Sequence, residues 1–120
     1  MMKLLIVDRD ILTLKSLGII LSREPEMTVL GLVPDCIEAL DICAEIEPNM
    51  MLIDICSDSV NGINLVKKHY PHIKIVMLVN FDTQLEISKA VELGADGYIS
   101  KAWKISAIVE KIHEWVCDVC

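Results

Sequence analysis

Two aspartates and a lysine each end or directly follow a short apolar run of this 120-residue chain: Asp8, Asp54 and Lys101. A carboxylate can act as a nucleophile toward a phosphoryl group and form an acyl phosphate. That reaction needs positive charge to neutralise the phosphoryl oxygens, and a lysine ammonium or a Mg²⁺ ion supplies it. The three residues therefore predict a phosphoryl-transfer site if the fold brings them together. Otherwise, charges at strand ends only keep the rim of a sheet soluble.

The elements that would position these residues alternate regularly along the chain. Apolar runs predict strands at Lys3–Asp8, Met27–Val33, Asn49–Asp54, Ile73–Val79 and Gly97–Ser100. Helices are predicted at Asp10–Arg23, from an Asp35 cap to Pro48, at Asn61–Tyr70, at Thr83–Leu93 with Gly94 as a left-handed cap, and at Ile105–Val116. Near-continuous apolar strands between helices are typical of a parallel sheet covered on both faces.

The expected fold is α/β, a five-stranded parallel sheet, doubly wound by five helices in the flavodoxin-like order 2-1-3-4-5. Right-handed crossovers place the carboxyl ends of all strands at one edge of such a sheet. Ligands bind at that edge, between strands 1 and 3. Asp8 and Asp54 end those two strands, so the topology predicts that their carboxylates lie close together.

The composition limits the classes of partner. Lys and Arg number 11 against 18 Asp and Glu, a net charge of −7, and 53% of the residues are hydrophobic. This is enough apolar material for one domain, without the basic footprint of a nucleic-acid-binding protein. No apolar run approaches the roughly 20 residues of a membrane span, and charge follows the N-terminal run too soon for a signal peptide. We expect a cytoplasmic domain that contacts neither DNA nor a membrane directly.

The chain has five cysteines, at positions 36, 43, 56, 117 and 120. In the cytoplasm we expect reduced thiols. Cys36 and Cys43 share one face of the second predicted helix, which is typical of small core residues. Cys117 and Cys120 have a CxxC spacing, but a zinc site would need a second ligand pair and a redox motif usually starts a helix. Inert thiols are therefore the favoured interpretation.

Three motifs resemble the receiver domain of two-component response regulators. They are Leu5–Asp8, Leu52–Asp54 with Gly62 eight residues later, and Gly94–Lys101, and the resemblance covers the chain from Leu4 to about Val116. It is closest to receivers that precede a helix-turn-helix domain of the nitrate- and nodulation-regulator kind. Residues 1–120 would then be a receiver domain, expected as the front part of a longer regulator or as a module without an output domain.

The resemblance implies the role of each residue at the predicted edge. Asp54 would be the phosphoacceptor and Lys101 the phosphate-binding lysine. Asp8, Asp54 and the main-chain carbonyl of Cys56 would bind Mg²⁺. Such a domain is a signalling module rather than an enzyme. It would take its phosphoryl group from a histidine kinase and regulate transcription.

Two positions depart from the family pattern. Arg9 stands where the family has a second acidic residue, so Asp8, Arg9, Asp54 and Lys101 sum to zero charge and the attraction for Mg²⁺ is weakened. Val79 stands at a switch position where the family has Thr or Ser, and so it lacks the hydroxyl that would contact the phosphoryl group. Tyr98 matches the aromatic switch residue.

Smaller departures lie in the neighbouring loops. Arg9 could pair with Asp8 or Asp54 through a bidentate fork. Asp58, where the family often has Pro, could lend an oxygen to a metal. Ala102 follows the lysine in place of a cis proline, and a trans bond is expected there.

Two functions remain open in addition to the phosphorylated receiver. A pseudo-receiver would keep its pocket permanently neutral through Arg9 and Lys101 and act as a phosphorylation-independent interaction module. A flavin carrier on the same fold is disfavoured, because flavin phosphate needs a Ser-, Thr- or Gly-rich loop after strand 1 and acids stand there instead.

As a receiver, the chain would contact partners, including a second copy of itself, through the face of helix 4, strand 5 and helix 5, with DNA bound only by a separate output domain. Tyr98 and Trp103 are the candidate contact residues on that face.

Overall fold

The computed structural model describes residues 1–56 and 59–119, and the side chains of 59 and 117–119 are outside that description. In chain order the elements are β1 (Met2–Val7), α1 (Ile11–Ser22), β2 (Met27–Val33), α2 (Cys36–Glu45), β3 (Met50–Asp54), α3 (Ser59–His69), β4 (Lys74–Val79), α4 (Gln84–Glu92), β5 (Gly97–Ser100) and α5 (Ile105–Val119). All strand pairs are parallel, and the sheet order is β2-β1-β3-β4-β5. The predicted fold class and strand order are confirmed.

Strands β1, β3 and β4 are buried almost completely on both faces of the sheet, which explains why their residues are nearly all apolar. Successive side chains of a strand point to opposite faces. Accordingly, Leu52 belongs to the core layer beneath α1 and α5, whereas Ile53 belongs to the layer beneath α2, α3 and α4. The strand methionines Met2, Met27, Met50, Met51 and Met77 are all buried in these two layers.

Side-chain caps fix the helix starts that lie next to the carboxyl edge of the sheet. Asp10, Asp35 and Thr83 each accept a backbone N–H of the first helical turn and so satisfy a donor that the helix itself leaves unpaired. Gly94 has a φ of +80°, the left-handed conformation predicted for the end of α4.

Helix α3 begins earlier than the sequence predicted. The polar stretch Ser57–Gly62 predicted a loop, with a helix from Asn61 onward, but the helix already begins at Ser59. Asn61 and Gly62 are poor helix formers, yet buried Ile63 and Val66 anchor this segment to the sheet, and packing outweighs local propensity. In the described part of the chain no helix is long and apolar enough to cross a membrane.

Candidate functional site

Lys101 joins the two predicted carboxylates at the carboxyl edge of the sheet. Its Nζ lies 2.7 Å from Oδ2 of Asp8 and 2.7 Å from Oδ1 of Asp54. The side chains of Lys101 and Asp54 are only partly buried, at 19% and 16% exposed, so the cluster remains open to solvent. The three residues singled out by their positions after strands thus form one ionic cluster.

Strand register produces this cluster. Val7 of β1 pairs with Ile53 of β3, so the residues that follow them, Asp8 and Asp54, lie side by side. The backbone N–H of Lys101 donates to the carbonyl oxygen of Val79 at 2.8 Å, which continues the β4–β5 ladder by one residue. The lysine side chain therefore starts from a fixed point beyond the end of β5.

Asp8 is the most enclosed member of the cluster, with only 1% of its surface exposed. Its Oδ1 accepts the backbone N–H of Asp10 at 2.9 Å. Its Oδ2 is buried and has no hydrogen bond of ordinary geometry among the described residues, although it lies within ion-pair distance of Lys101. Because a buried charge without a partner is costly, the lysine ammonium is what stabilises this carboxylate.

The pKa values of Asp54 and Lys101, the two partly exposed members of the cluster, are shifted. Burial, together with the charge of Asp8, raises the pKa of Asp54 despite the opposing effects of Lys101 and Arg9. Partial burial by itself would lower the pKa of Lys101, but its contacts with Asp54 and Asp8 outweigh burial and raise it. The lysine thus stays charged beside a carboxylate whose basicity is above normal, a combination suited to nucleophilic attack on a phosphoryl group.

Arg9 lines the same cavity as Asp8 and Asp54. Its side chain is exposed, and its positive charge favours the ionised form of Asp54. The sequence had suggested a bidentate fork from Arg9 to one of the aspartates. Lys101 makes an ion pair with each of the two carboxylates, and the fork from Arg9 stays a prediction.

The donors present are of the type that Mg²⁺ takes. Asp8 and Asp54 supply carboxylate oxygens, and Cys56, two residues after Asp54, lines the same cavity. The buried Oδ2 of Asp8 is in ion-pair contact with Lys101 and has no further hydrogen bond among the described residues, and the cavity has a volume of about 20 Å³, room for one water-sized occupant. The residues therefore fit a small hard cation, with Arg9 as the charge that opposes it. Among the described residues no group of three His, Cys, Asp or Glu side chains forms a closed metal cage.

The residues at the switch positions lie along β4 and β5. Val79 is fully buried. The rings of Tyr98 and Trp103 are 5.8 Å apart at 55°, and Nε1 of Trp103 lies 3.4 Å from Oδ2 of Asp82 in the β4–α4 loop. The peptide bond before Ala102 is trans, as predicted. Tyr98 and Trp103 therefore link the lysine loop to the loop after β4.

The contact of the Glu86 side chain with the β4–α4 loop was not predicted from the sequence. The carboxylate of Glu86 accepts the backbone N–H groups of Asn80 and Phe81, both at 3.0 Å. The spacing Thr83-x-x-Glu86 predicted a capping box, and the N–H of Glu86 does donate to Oγ1 of Thr83 at 3.3 Å. In a capping box the glutamate would reach back to the cap residue itself. Here it reaches further and holds the loop that leads from β4 into α4.

Two predicted candidates lie outside the described residues. Asp58, considered as an additional metal ligand, is one. The CxxC spacing is the other, because Cys120 and the side chain of Cys117 are not described. Of the remaining cysteines, Cys36, Cys43 and Cys56 are in no disulfide.

Comparison with known proteins agrees with this geometry. Residues 4–113 match the family described as the response regulator receiver domain. A stretch of 49 residues is 41% identical to the response regulator protein VraR of Staphylococcus saprophyticus and covers 41% of this chain and 23% of that protein. The chain thus matches under a quarter of that relative's length.

Solved structures show the same fold at low sequence identity. NtrX from Brucella abortus superimposes with a TM-score of 0.85 at 21% identity, covering 98% of this chain and 26% of that one. A DNA-binding response regulator of the LuxR family from Staphylococcus aureus gives 0.83 at 19% identity, covering 97% of this chain and 99% of that one.

Proposed function

The chain belongs to the response regulator receiver domains, and from this premise we propose that it accepts a phosphoryl group on Asp54 from a histidine kinase. The observation that carries the proposal is the position of Lys101, whose Nζ lies 2.7 Å from both Asp8 and Asp54. Receivers of this family are signalling modules rather than enzymes. The proposed activity is accordingly to accept a phosphoryl group and to change the conformation of the surface that contacts partners.

The transfer follows from the chemistry of the cluster. An oxygen of Asp54 attacks the phosphorus of phosphohistidine, and an O–P bond forms as the P–N bond breaks. The electron pair of that bond stays on the imidazole nitrogen, which takes up a proton. Lys101 balances the phosphoryl oxygens, while Asp8 keeps the ammonium of Lys101 at the acceptor.

The proposed metal ligands are Asp8, Asp54 and the main-chain carbonyl of Cys56. A bound Mg²⁺ would supply further positive charge toward the phosphoryl oxygens. The charge of Arg9 makes this binding weak, because the cation would enter a cluster whose four nearest side chains already sum to zero. Lys101 therefore carries a larger share of the neutralisation than it would in a more acidic pocket.

The proposed output route runs through the loops after β4 and β5. A phosphoryl group on Asp54 would attract the ammonium of Lys101. The loop that carries Lys101 also contains Trp103. The contact between Trp103 and Asp82 would then carry the movement to the β4–α4 loop. Val79 offers no hydroxyl to the phosphoryl group, so coupling through the lysine loop would replace that direct contact.

The partner surface is proposed on α4, β5 and α5. Leu85 on α4 is 79% exposed, and Val91 on the same helix is also exposed. These exposed apolar side chains on α4 support a protein contact on this face. We propose that a second copy of the domain binds there, that the regulator acts in the cytoplasm, and that DNA is contacted only by a separate output domain.

The experiment that tests the acceptor role is phosphorylation by acetyl phosphate with Mg²⁺, followed by intact mass measurement. Wild type should gain the mass of one phosphoryl group, while Asp54→Asn, which keeps the shape of the side chain, should gain none. Lys101→Ala should react at least tenfold more slowly because the cation is lost. An adduct of equal yield on the Asn variant would contradict the assignment.

The same measurement decides between this function and a phosphorylation-independent interaction module. If the neutral pocket is permanent, wild type gains no adduct from acetyl phosphate, and beryllofluoride does not bind. An adduct that disappears in Asp54→Asn excludes that alternative.

A further inference from the structure

A cavity of about 280 Å³ lies between α1 and the start of α5. Its floor contains Leu78 of β4 and Ile99 of β5, which are buried residues of the core layer beneath these two helices. Leu17 and Ile20 of α1 and Ile108 of α5 line its sides. The two helices therefore leave an apolar space above the sheet, on the face opposite α2, α3 and α4.

Lys101 connects this cavity to the acceptor cluster. It is the one charged residue among the described residues that line the cavity. Its ammonium carries three N–H donors and lies 2.7 Å from both Asp8 and Asp54, so it can still donate to a third acceptor. Thr13 and Ser16 of α1 add hydroxyl groups to the lining. A ligand in the cavity would thus have an apolar surrounding with a few polar partners.

Trp103 contributes an aromatic side chain to the same lining. Its ring lies 5.8 Å from the ring of Tyr98, and its Nε1 lies 3.4 Å from Oδ2 of Asp82. These contacts restrain the indole, so a ligand would pack against an aromatic surface of fixed orientation. Because Trp103 follows Lys101 in the same loop, one ligand would contact both residues of the proposed output route.

The size and charge of the cavity indicate the class of ligand. At roughly 30 Å³ for each water-sized group, a volume of about 280 Å³ holds about nine non-hydrogen atoms. An α-helix is about 10–12 Å wide, so a partner helix cannot enter. The acceptor cluster together with Arg9 sums to zero charge, so a carboxylate ligand would lose its hydration without net compensation. A neutral, mainly apolar molecule fits best.

We propose that the cavity between α1 and α5 binds a neutral apolar molecule of about nine non-hydrogen atoms, whose single carbonyl or hydroxyl oxygen accepts a hydrogen bond from Lys101. The ligand oxygen and a phosphoryl group on Asp54 then compete for the same ammonium, so bound ligand slows phosphorylation. The binding stands independently, whereas the slowing rests on the function proposed above. The domain would in this way respond to a small molecule as well as to a kinase.

The binding test uses 2-octanone, a neutral ketone of this size, and methyl NMR of the full chain. We expect saturable shifts of the methyl signals of Ile20, Ile99 and Ile108, with no shift for Ile75, which is buried in the other core layer. Octanoate has a chain of similar length and a charged head, and it should bind roughly tenfold more weakly or worse. Signals that stay unshifted up to the solubility limit of the ketone, equal shifts in both core layers, or equally tight binding of octanoate would overturn the proposal.

Variants that fill the cavity test its location. Ser16→Leu and Ser16→Phe place progressively larger side chains into the lining from an exposed helix position, where a larger side chain is compatible with folding. We expect Ser16→Phe to weaken 2-octanone binding roughly tenfold or more, and Ser16→Leu to weaken it less. Ser22→Phe makes the same change on another face of α1, beside the groove between α1 and β2, and should leave the affinity unaltered.

Two results would overturn this location. One is an unchanged affinity for the ketone in Ser16→Phe. The other is a wild-type protein that binds no ketone but self-associates in a way that Ser16→Phe abolishes, because a side chain of a second copy would then fill the cavity.

The coupling test compares the rate of phosphorylation by acetyl phosphate with and without saturating 2-octanone, by intact mass. We expect the ketone to slow wild type roughly fivefold or more and to have no effect in Ser16→Phe. Equal rates with and without bound ketone would overturn the competition for Lys101. A protein that takes up no phosphoryl group even without ketone would instead contradict the proposed function, while the NMR titration would still decide the ligand site.

Discussion

At the scale of single residues, the acceptor pocket depends on charge. Lys101 balances Asp8 and Asp54 by direct contact, and Arg9 contributes a second positive charge along the same cavity. Mg²⁺ attraction depends on the sum of these charges, since Coulomb energies at a partly exposed site act over several ångströms. We therefore predict that the identity of residue 9 affects Mg²⁺ affinity without changing the carboxylates proposed to bind the metal.

Arg9→Asp tests this charge argument. The change replaces a positive by a negative charge beside Asp54, and we expect a gain of about 1.4 kcal/mol in Mg²⁺ binding, about tenfold in affinity. Calorimetric titration of wild type and variant with MgCl₂ measures it, and Arg23→Asp, at the distant end of α1, serves as the matched control. Tight Mg²⁺ binding by wild type, unchanged in the Arg9 variant, would contradict the argument.

At the scale of elements, two contacts hold loops to helices without any ligand. The Glu86 carboxylate holds the β4–α4 loop through two backbone N–H groups. At the opposite edge of the sheet, the ring of His113 on α5 lies between Glu24 and Glu26, with Nε2 at 2.9 Å and Nδ1 at 3.0 Å from the two carboxylates. The first contact restrains a loop beside the acceptor, and the second ties α5 to the turn between α1 and β2.

Glu86→Gln should loosen the β4–α4 loop. A charged acceptor of two N–H groups becomes a neutral one, which costs about 1 kcal/mol at this exposed position. We expect roughly fivefold faster hydrogen exchange at the amides of Asn80 and Phe81. Glu92→Gln, at the other end of α4, should leave those two amides unchanged. Equal exchange in all three proteins would show that the carboxylate does not restrain the loop.

His113 should make stability depend on pH. The hydrogen bond to Glu24, aided by the charge of Glu26, raises the pKa of His113 above its unfolded value near 6.5. The contribution is therefore fully present below about pH 6.5 and is lost as pH rises through the folded pKa. We expect His113→Gln to cost more stability at pH 6 than at pH 8, by under about 1 kcal/mol because the site is partly exposed.

Urea unfolding at the two pH values measures this difference. His72→Gln, a change at an exposed histidine on the turn before β4, serves as the control and should show no such pH dependence. A cost for His113→Gln that is the same at both pH values, or larger at pH 8, would contradict the assigned direction.

The sequence predicted best what depends on local pattern. Apolar runs predicted the strands, and Asp35, Thr83 and Gly94 predicted helix ends because their side chains or φ angles act within a few residues. Contacts between distant segments were beyond such patterns. His113 and Glu24 are 89 residues apart along the chain, and nothing in either local sequence signals the pair. The early start of α3 was missed for a related reason, since burial of Ile63 against the sheet decides it.

At the scale of the whole molecule, the sheet holds the Asp8–Asp54–Lys101 cluster at its carboxyl edge, and exposed apolar side chains of α4 lie on the proposed partner face. Buried side chains of β1, β3 and β4 contribute to both core layers, so we expect movement mainly in loops and in helices with few buried residues. Helix α4 has a single buried residue, Ala90, which makes it the least anchored helix next to the acceptor. We therefore predict that α4 is the helix that moves most if Asp54 is phosphorylated.

Leu85→Asp should weaken self-association through this face. If a second copy binds α4, β5 and α5 in the beryllofluoride-treated state, replacing an exposed leucine by a charge should raise the dimer Kd at least tenfold. Ile37→Asp, at an equally apolar position on α2 that is 75% exposed, is the matched control and should have no effect. Sedimentation velocity over a concentration series measures both. Equal effects of the two changes would place the contact elsewhere.

Reductive trapping of the phosphorylated protein tests directly whether Asp54 is the phosphoacceptor. After reaction with acetyl phosphate and Mg²⁺, borohydride converts an aspartyl phosphate to homoserine, and peptide sequencing reports its position. The side chain of Asp54 is 16% exposed whereas that of Asp8 is fully buried, so we predict homoserine at position 54 and an unmodified Asp8. Homoserine at position 8, or at neither position in a protein that is folded and fully reduced, would contradict Asp54 as the phosphoacceptor.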